Sequence, residues 1–307
     1  MQDKVRLILD TDIGCDCDDA GAMAVMHALA RCGEVDILAV THCYGGMDGV
    51  SCIDAINRYC GQPDIPVGNY PSDPWPDRYA AAVAREFPNQ FQVGGQPEHT
   101  VRVLRRALKD SSGQVTLAVI GSLRSIEGLM DSMPDDISSM TGIDMIRAYV
   151  SHCVIMGGRF HQTWPEPLLV DGAIIDGEFN IRADIPAAQH VANAWPGELV
   201  FCSYEIGLGL ITGAQIENED SPIRLAYQLF GAKNGRDSWD LATVLFAVRP
   251  DVGYYNLHEY GRVEIDQNGI TKWIADDVAR HTYLLSRAPR EDIRAVLDGL
   301  MNEAPMP

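Results

Sequence analysis

Short apolar runs typical of buried strands alternate with amphipathic, helix-like stretches along most of this chain, and this alternation restricts the fold more than any other feature. The first three apolar runs lie at residues 5–10, 35–42 and 65–67, and helix-like stretches at residues 18–31 and 52–60 separate them. This β-α-β-α-β order is typical of a mainly parallel sheet with helices on both faces. The sequence therefore predicts an open, Rossmann-like α/β fold.

The pattern continues to the end of the chain without a repeat or a low-complexity linker. We therefore expect a single domain over residues 1–307, in which residues 70–98 and 159–177 form lid or insert loops. Further strands are predicted at residues 115–120, 149–156 and 199–203. Further helices are predicted at residues 99–109, 185–194, 222–231, 238–248 and 290–302. Because ligands bind beyond the carboxyl ends of strands in such sheets, the loops after Leu9, Val40, Ile120 and Ile155 should converge on one site.

An unusual density of acidic residues follows the first predicted strand. Residues 8–21 read ILDTDIGCDCDDAG and carry five carboxylates, those of Asp10, Asp12, Asp16, Asp18 and Asp19. Mutual repulsion makes such a cluster costly unless a cation or strong hydrogen bonds lie among the carboxylates. The loop therefore predicts a bound metal ion.

Other interpretations of this loop account for fewer of its residues. An EF-hand needs glycine where Cys15 stands and glutamate where Gly21 stands. A haloacid-dehalogenase-like phosphatase shares the D-x-D at the strand end but has threonine or valine soon after it. A thiolate metal site at Cys15 and Cys17 lacks further nitrogen or sulfur ligands nearby. A helix cap by Asp18 explains one carboxylate of the five.

Charge and composition limit the kinds of binding partner that the protein can have. The formal net charge of −19 disfavours nucleic acid or an anionic membrane as a partner. No apolar run approaches the roughly 18 residues of a membrane span, and the amino-terminal residues have no secretory pattern. A cytoplasmic protein is expected, in which the eight cysteines are free and partly buried thiols.

The order of residues in the acidic loop resembles a known signature. D-T-D-I-G-C-D-C-D-D-A-G-A is similar to the D-x-D-P-G-x-D-D-A-x-A of the inosine-uridine-type nucleoside hydrolases, with Ile13 for the proline and two inserted residues before Asp18. Four later phrases match that family in the same order. They are V-T-L-A-V-I-G-S-L at 115–123, V-I-M-G-G at 154–158, E-F-N at 178–180 and S-W-D-L at 238–241. A recurring order of phrases is more specific than any one of them.

The resemblance implies a calcium-dependent hydrolase that splits the N-glycosidic bond of a ribonucleoside or related ribosyl compound into ribose and free base. It implies a nucleoside hydrolase fold and a homodimer or homotetramer. By resemblance, Asp12 is the base for the attacking water, and Asp10 supports the loop. The implied Ca²⁺ ligands are Asp12, Asp19, the Ile120 carbonyl and Asp240. The implied substrate-binding residues are Asp18, Met156, Glu178, Asn180 and Trp239.

Some of these residues also have ordinary structural explanations. Met156 fits an apolar core, Asn180 could close a turn, and Asp240 could cap the helix over residues 241–248. Asp184, before Ile-Pro-Ala-Ala, is expected to be only the cap of the helix that follows it.

The chain departs from the family pattern around the leaving group. Trp239 stands where classical members carry the histidine proposed to protonate the departing base, and an indole cannot act as that acid. C-Y-G-G at residues 43–46 replaces the family's V-A-G-N, and residues 159–177 hold no clear counterpart of the second family asparagine. A ribose-binding protein without catalysis, or with different catalysis, on the same scaffold is therefore the alternative function.

Other residues could take over the missing roles. The candidate replacement acids are His42, His161 and His281, with His42 best placed at the end of the second strand. The aromatic residues that could build a base pocket are Trp75, Trp164, Trp239 and Trp273.

Overall fold

A computed structural model describes residues 4–74, 76–160, 168–170, 173–175 and 177–303. Its strands are β1 (Val5–Thr11), β2 (Val35–His42), β3 (Val67–Asn69), β4 (Glu98–His99), β5 (Val115–Val119), β6 (Val150–Met156), β7 (Leu168–Val170), β8 (Ala173–Ile175), β9 (Leu199–Cys202), β10 (Ile211–Thr212), β11 (Arg236–Asp237), β12 (Tyr255–Leu257), β13 (Gly261–Ile265), β14 (Thr271–Ala275) and β15 (His281–Ser286). Its α-helices are α1 (Asp18–Arg31), α2 (Met47–Tyr59), α3 (Ala80–Glu86), α4 (Thr100–Asp110), α5 (Arg124–Met130), α6 (Gly142–Tyr149), α7 (Phe179–Ala183), α8 (Ile185–Ala194), α9 (Tyr204–Gly207), α10 (Pro222–Phe230), α11 (Trp239–Val248) and α12 (Arg290–Met301).

One large, mostly parallel sheet organises the chain. Its order is β14-β13-β15-β9-β6-β5-β1-β2-β3-β4, and β12 pairs with β15. The strands from β15 to β4 run parallel, while β12, β13 and β14 are antiparallel additions. The chain adds strands outward from β1 to β4 and then returns to the other side of β1 with β5. The strand order thus reverses between β1 and β5, the place where such sheets bind ligands.

Helices cover both faces of this sheet, as the apolar strands require. The first core cluster packs α1, α2, α10, α11 and α12 against one face, and the second packs α4, α5, α6 and α8 against the other. Leu7 and Leu9 of β1 belong to the first cluster and Ile8 to the second, because successive side chains of a strand point to opposite faces. The predicted α/β fold is confirmed.

Several predicted elements differ from the observed ones. The second helix begins at Met47, five residues before the predicted start, and the third strand lies at Val67–Asn69 instead of 65–67. Within residues 70–98, predicted as a loop, Ala80–Glu86 is helical and Gln90–Val93 forms a 3₁₀ turn. The predicted loop 159–177 contains the β7–β8 hairpin. The antiparallel strands after residue 254 were not predicted, because their runs are short and half-exposed.

All eight cysteines are free thiols, as predicted, and six of them are buried. Among the described residues, no helix is long and apolar enough to cross a membrane.

Leu245 of α11 is fully buried and tests how much the core helix contributes to stability. Leu245→Ala should lower the free energy of unfolding by about 2–5 kcal/mol, because it leaves a cavity between helix and sheet. Leu229 on α10 is 46% exposed, and Leu229→Ala should change stability by less than about 0.5 kcal/mol. Urea unfolding measures the free energy of unfolding of both variants, and an equal loss of stability in the two would contradict the packing of α11 against the sheet.

Candidate functional site

A cavity of about 550 Å³ opens at the carboxyl edge of the sheet, where β1, β5 and β6 end. All the residues that the resemblance singled out for calcium, base and substrate line it. They are Asp12, Asp18, Asp19, Ile120, Met156, Glu178, Asn180, Trp239 and Asp240. The loops after β1, β5 and β6 therefore converge as predicted. The loop after β2 does not: His42 and Gly45 line a smaller neighbouring hollow, which also touches Asp12.

Three buried carboxylates lie close together in this cavity. One carboxylate oxygen from each of Asp18, Asp19 and Asp240 lies within 4.8 Å of the others. Asp18 and Asp19 occupy the first turn of α1, and Asp240 occupies the first turn of α11. The positive ends of two helix dipoles thus face the cluster and partly offset the repulsion.

Asp18 connects the two helices. Its Oδ2 accepts hydrogen bonds from the backbone N–H groups of Trp239 at 3.1 Å and Asp240 at 3.2 Å. The capping interpretation of Asp18 named the wrong helix, because Asp18 lies inside α1 and its carboxylate caps α11. Asp240 is likewise not a cap, since it lies within α11. Asp184 does cap α8, with Oδ1 accepting from Ala187 N at 3.2 Å.

Burial is the main cause of the raised pKa values of the aspartates in this cavity. Burial raises the pKa of Asp12 to about 7, and burial with repulsion from Asp12 and Asp18 raises the pKa of Asp19 well above its usual value. The pKa of Asp240 is raised well above its usual value by burial and by the neighbouring aspartates. Thr11 Oγ1 donates to Asp19 Oδ1. Without a cation, the cluster therefore resists full ionisation.

The carboxyl end of β5 approaches the acidic loop closely. Ile120 N donates to Asp10 O at 2.8 Å, and Ile120 lines the cavity. Glycine is needed at the next position, because a Cβ on Gly121 would lie 2.8 Å from Asp12 N and 2.7 Å from Cys43 Sγ. Asp10 also accepts from Thr41 Oγ1 at 2.5 Å, which ties β1 to β2 below the loop.

Glu178 and Asn180 form the opposite wall. Glu178 caps α7 and accepts from Asn180 N at 2.9 Å, Ile181 N at 3.1 Å and Gly158 N at 3.3 Å. Burial raises the pKa of Glu178 to about 7. Asn180 Nδ2 donates to the carbonyl oxygens of Ile120 and Met156, both at 3.1 Å, so Asn180 does more than close a turn.

These donors fit a hard cation. Asp18, Asp19 and Asp240 lie close together, and the Asp12 carboxylate and Ile120 line the same cavity, so carboxylate and carbonyl oxygens that suit calcium or a similar ion are available there. A soft-metal site does not fit, because Cys15 is the one thiol among the described residues that line the cavity and no histidine is among them.

An aromatic and cationic wall closes the side of the cavity at α11. The Trp239 ring stacks on Tyr204 with centroids 5.4 Å apart, and its Nε1 donates to Tyr204 O at 2.8 Å. The Arg236 guanidinium lies 5.0 Å from the Trp239 ring and binds Asp16 through Nε at 3.0 Å. Phe230 completes the wall.

Among the alternative acids, the described histidines are poorly placed. His42 is buried beneath the loop, where Nδ1 lies 2.7 Å from Tyr44 O, and burial lowers its pKa. His281 begins β15 at the amino ends of the parallel strands, opposite to the cavity, and its Nδ1 accepts from Val263 N at 3.0 Å. Neither lines the main cavity, and His161 lies outside the described residues.

Of the tryptophans proposed for a base pocket, Trp239 lines the cavity. Trp273 lies on β14 at the far edge of the sheet and packs against His258 instead. Trp75 and Trp164 lie outside the described residues.

The sequence did not indicate several other residues of the cavity. Tyr204 could have been found, because it directly follows the predicted strand ending at 203, and Asp16 was already noted in the acidic loop. Arg78 and Phe230 carry no local signal, since only the tertiary fold brings them to the cavity. They line the cavity together with Trp239.

Comparison with known families identifies the relationship. The family model described as "Inosine-uridine preferring nucleoside hydrolase" matches residues 7–290. The chain belongs to this nucleoside hydrolase family. The resemblance that rested on the acidic loop and the four later phrases is therefore confirmed. A sequence comparison with curated proteins gives no match.

Solved structures share the nucleoside hydrolase fold. A plant nucleoside hydrolase, the PpNRh1 enzyme, is 18% identical with a TM-score of 0.72, over 98% of this chain and 100% of that one. The inosine-uridine preferring nucleoside hydrolase from Bacillus anthracis is 16% identical with a TM-score of 0.69, over 97% and 99%. The type III effector XopQ, solved with adenosine diphosphate ribose, is 15% identical with a TM-score of 0.70, over 100% and 96%. At these identities the likeness establishes the fold.

Removing one carboxylate from the cluster should give a variant of this nucleoside hydrolase family member that still folds but no longer binds the metal ion. Asp240→Asn should raise the melting temperature in EDTA, because it relieves repulsion, yet should abolish the upward shift that Ca²⁺ causes in the wild type. Asp36→Asn, at an exposed position on β2, is the matched control and should keep the shift. A full Ca²⁺ shift in the Asp240 variant, read by differential scanning fluorimetry, would refute the site.

The raised pKa values also predict that the stability of the folded protein depends on pH in an unusual direction. The folded-state pKa values of Asp12 and Glu178, about 7, exceed the values near 4 expected for the unfolded chain. Protonation therefore favours the folded state, and stability in EDTA should fall as the pH rises from about 5 to about 7.5. Calcium should reduce this fall by favouring the ionised carboxylates. Urea unfolding across this range, with and without calcium, measures the effect, and a rise of stability in EDTA would contradict it.

Proposed function

We propose that the protein catalyses calcium-dependent hydrolysis of the N-glycosidic bond of a ribonucleoside or related ribosyl compound, giving ribose and the free base. The observation that carries this proposal is the convergence of nine predicted residues, from five separate segments of the chain, on one cavity. Family membership supports the reaction class.

The cation site is the first part of the proposal. Asp12, Asp19, Asp240 and the Ile120 carbonyl would hold Ca²⁺, since all four residues are buried and line the same cavity. When bound, the ion would hold the ribose diol and lower the pKa of the attacking water.

Asp12 is proposed as the general base. Asp12 is 4% exposed and directly follows β1, and a bound calcium ion would keep its carboxylate ionised and able to accept a proton. Ile13 and Gly14 connect it rigidly to neighbouring elements, since Ile13 N donates to Thr11 Oγ1 and Gly14 N donates to the Tyr79 hydroxyl, both at 3.1 Å. A base fixed in this way loses little entropy on reaching the reactive geometry.

The ribose is proposed to lie between the acidic cluster and the α7 wall. Glu178 and the Asn180 Oδ1 would accept hydrogen bonds from its hydroxyls, because the Asn180 Nδ2 already donates to two carbonyl oxygens. Asp18 would bind a further hydroxyl. Breaking the glycosidic bond develops positive charge on the sugar, and the surrounding carboxylates would stabilise that charge.

The leaving group is proposed to contact Trp239. The indole Nε1 is already engaged with Tyr204 O, so Trp239 offers a stacking face and no acidic proton. Among the described residues no histidine lines the cavity to replace it. This arrangement favours leaving groups that depart without protonation. A cytoplasmic homodimer or homotetramer is the proposed setting of the reaction.

Turnover of the purified protein tests the function directly. Ribose release should be measured with purine and pyrimidine nucleosides, nicotinamide riboside and p-nitrophenyl riboside. We expect release that EDTA abolishes, and the fastest turnover on the compounds that need no acid. Ribose binding without cleavage of any compound would instead support the alternative, a ribose-binding protein. XopQ, which shares the fold, was solved with adenosine diphosphate ribose.

Asp12→Asn tests the assignment of the base. Removing the proton acceptor should reduce turnover by about 10²–10⁴-fold, while most of the ribose affinity remains. Asp36→Asn, on the exposed side of β2, should leave turnover unchanged. Unchanged turnover in the Asp12 variant would remove Asp12 from this role.

A further inference from the structure

The aromatic wall of the cavity carries two guanidinium groups in series. The Arg78 guanidinium lies 4.7 Å from the centre of the Phe230 ring, and the Arg236 guanidinium lies 5.3 Å from the same ring. Arg236 also lies 5.0 Å from the Trp239 ring. The cavity wall therefore alternates guanidinium groups and aromatic rings. Their order, from the exposed Arg78 to the proposed leaving-group position, is Arg78, Phe230, Arg236 and Trp239.

The two arginines differ in what neutralises them. Arg236 binds Asp16 through Nε at 3.0 Å and lies 3.8 Å from Asp237. Arg78 lines the same cavity, its side chain is exposed, and it forms no ion pair with any residue that the structure describes. The chain carries 43 acidic residues against 24 lysines and arginines, so most arginines can find a carboxylate. A guanidinium left without one at a cavity entrance is available to a ligand.

The backbone holds Arg78 in this place. Arg78 N donates to Gly14 O at 3.0 Å, which anchors the segment to the acidic loop. Two residues earlier, Pro76 also lines the cavity. Phe230 then supports the guanidinium plane, and a supported guanidinium binds a carboxylate in a fixed, bidentate geometry.

We propose that the leaving-group end of the cavity selects an aromatic ring bearing a carboxylate, with the ring against the Trp239 and Phe230 wall and the carboxylate on Arg78. This inference rests on the proposed function, because that function places the ribose at the acidic cluster and hence the leaving group at this wall. It goes further by naming the charge of the leaving group.

The chemistry of a pyridinium riboside fits both features of the wall. When its C1′–N bond breaks, the bonding pair goes to the ring nitrogen, which becomes a neutral pyridine nitrogen and needs no proton. The water oxygen forms the new bond to C1′, and the released proton goes to Asp12. Trp239 then needs only to stack on the ring, while Arg78 binds the ring carboxylate.

A comparison of two substrates isolates the effect of the leaving group's charge on turnover. Nicotinate riboside and nicotinamide riboside share ring, linkage and sugar, and differ in a carboxylate against a carboxamide. We expect kcat/KM of the wild type to favour nicotinate riboside by about five- to tenfold, the size of one charge-assisted contact. Nicotinamide mononucleotide, whose anion is on the opposite side of the ribose, should gain nothing over nicotinamide riboside.

The R78Q variant should lose the preference for nicotinate riboside. R85Q is the matched control, because Arg85 on α3 has a 71% exposed side chain, does not line the cavity and should keep the wild-type ratio. An equal kcat/KM for the two ribosides in the wild type, or an unchanged ratio in R78Q, would overturn the proposal. A gain for the mononucleotide that R78Q removes would also overturn it, by placing the anion at the sugar end.

Binding of free nicotinate and nicotinamide, measured by calorimetry in the presence of calcium and ribose, separates this proposal from the proposed function. If no riboside and no p-nitrophenyl riboside is cleaved, the hydrolase function fails. Tighter binding of nicotinate that R78Q removes would still support the anion site, and equal binding of the two bases would overturn it.

Discussion

The repulsion among buried carboxylates at the end of β1 is the constraint on which the rest of the site depends. Asp18, Asp19 and Asp240 bring their oxygens within 4.8 Å while the residues are almost fully buried, which weakens screening by water. The fold reduces this repulsion by directing the first turns of α1 and α11 at the cluster. We therefore expect a bound cation to stabilise the protein, and the proposed function uses the same carboxylates to stabilise positive charge on the sugar.

Much of this site could be predicted because its residues follow strands in the sequence. Asp12 comes after β1 and Ile120 after β5, and parallel strands bring such positions to one edge. Family membership, confirmed by the match over residues 7–290, accounts for Glu178, Asn180 and Asp240, whose partners are far away in the chain. The sequence could not predict which helix Asp18 caps, because its hydrogen bonds reach residues more than 200 positions away.

The parts that escaped prediction share a physical cause. Arg78, Phe230 and Arg236 form the wall through ring and guanidinium contacts between separate segments, and such contacts leave no period or spacing in the sequence. The strands after residue 254 were missed because they are short and partly exposed, so their apolar alternation is weak. His281 looked like a candidate acid, but the register of β15 places it beside Leu199, at the amino ends of the parallel strands and away from the cavity. Tertiary position, more than residue type, decides these roles.

Crystallography with calcium and ribose tests the central claim most directly, because it asks whether one cavity holds both. The account predicts an anomalous calcium peak bounded by Asp12, Asp19, Asp240 and the Ile120 carbonyl, with two ribose hydroxyls on the ion and the sugar beside Glu178 and Asn180. Calcium bound elsewhere, or ribose bound in this cavity without contact to the ion, would contradict the account.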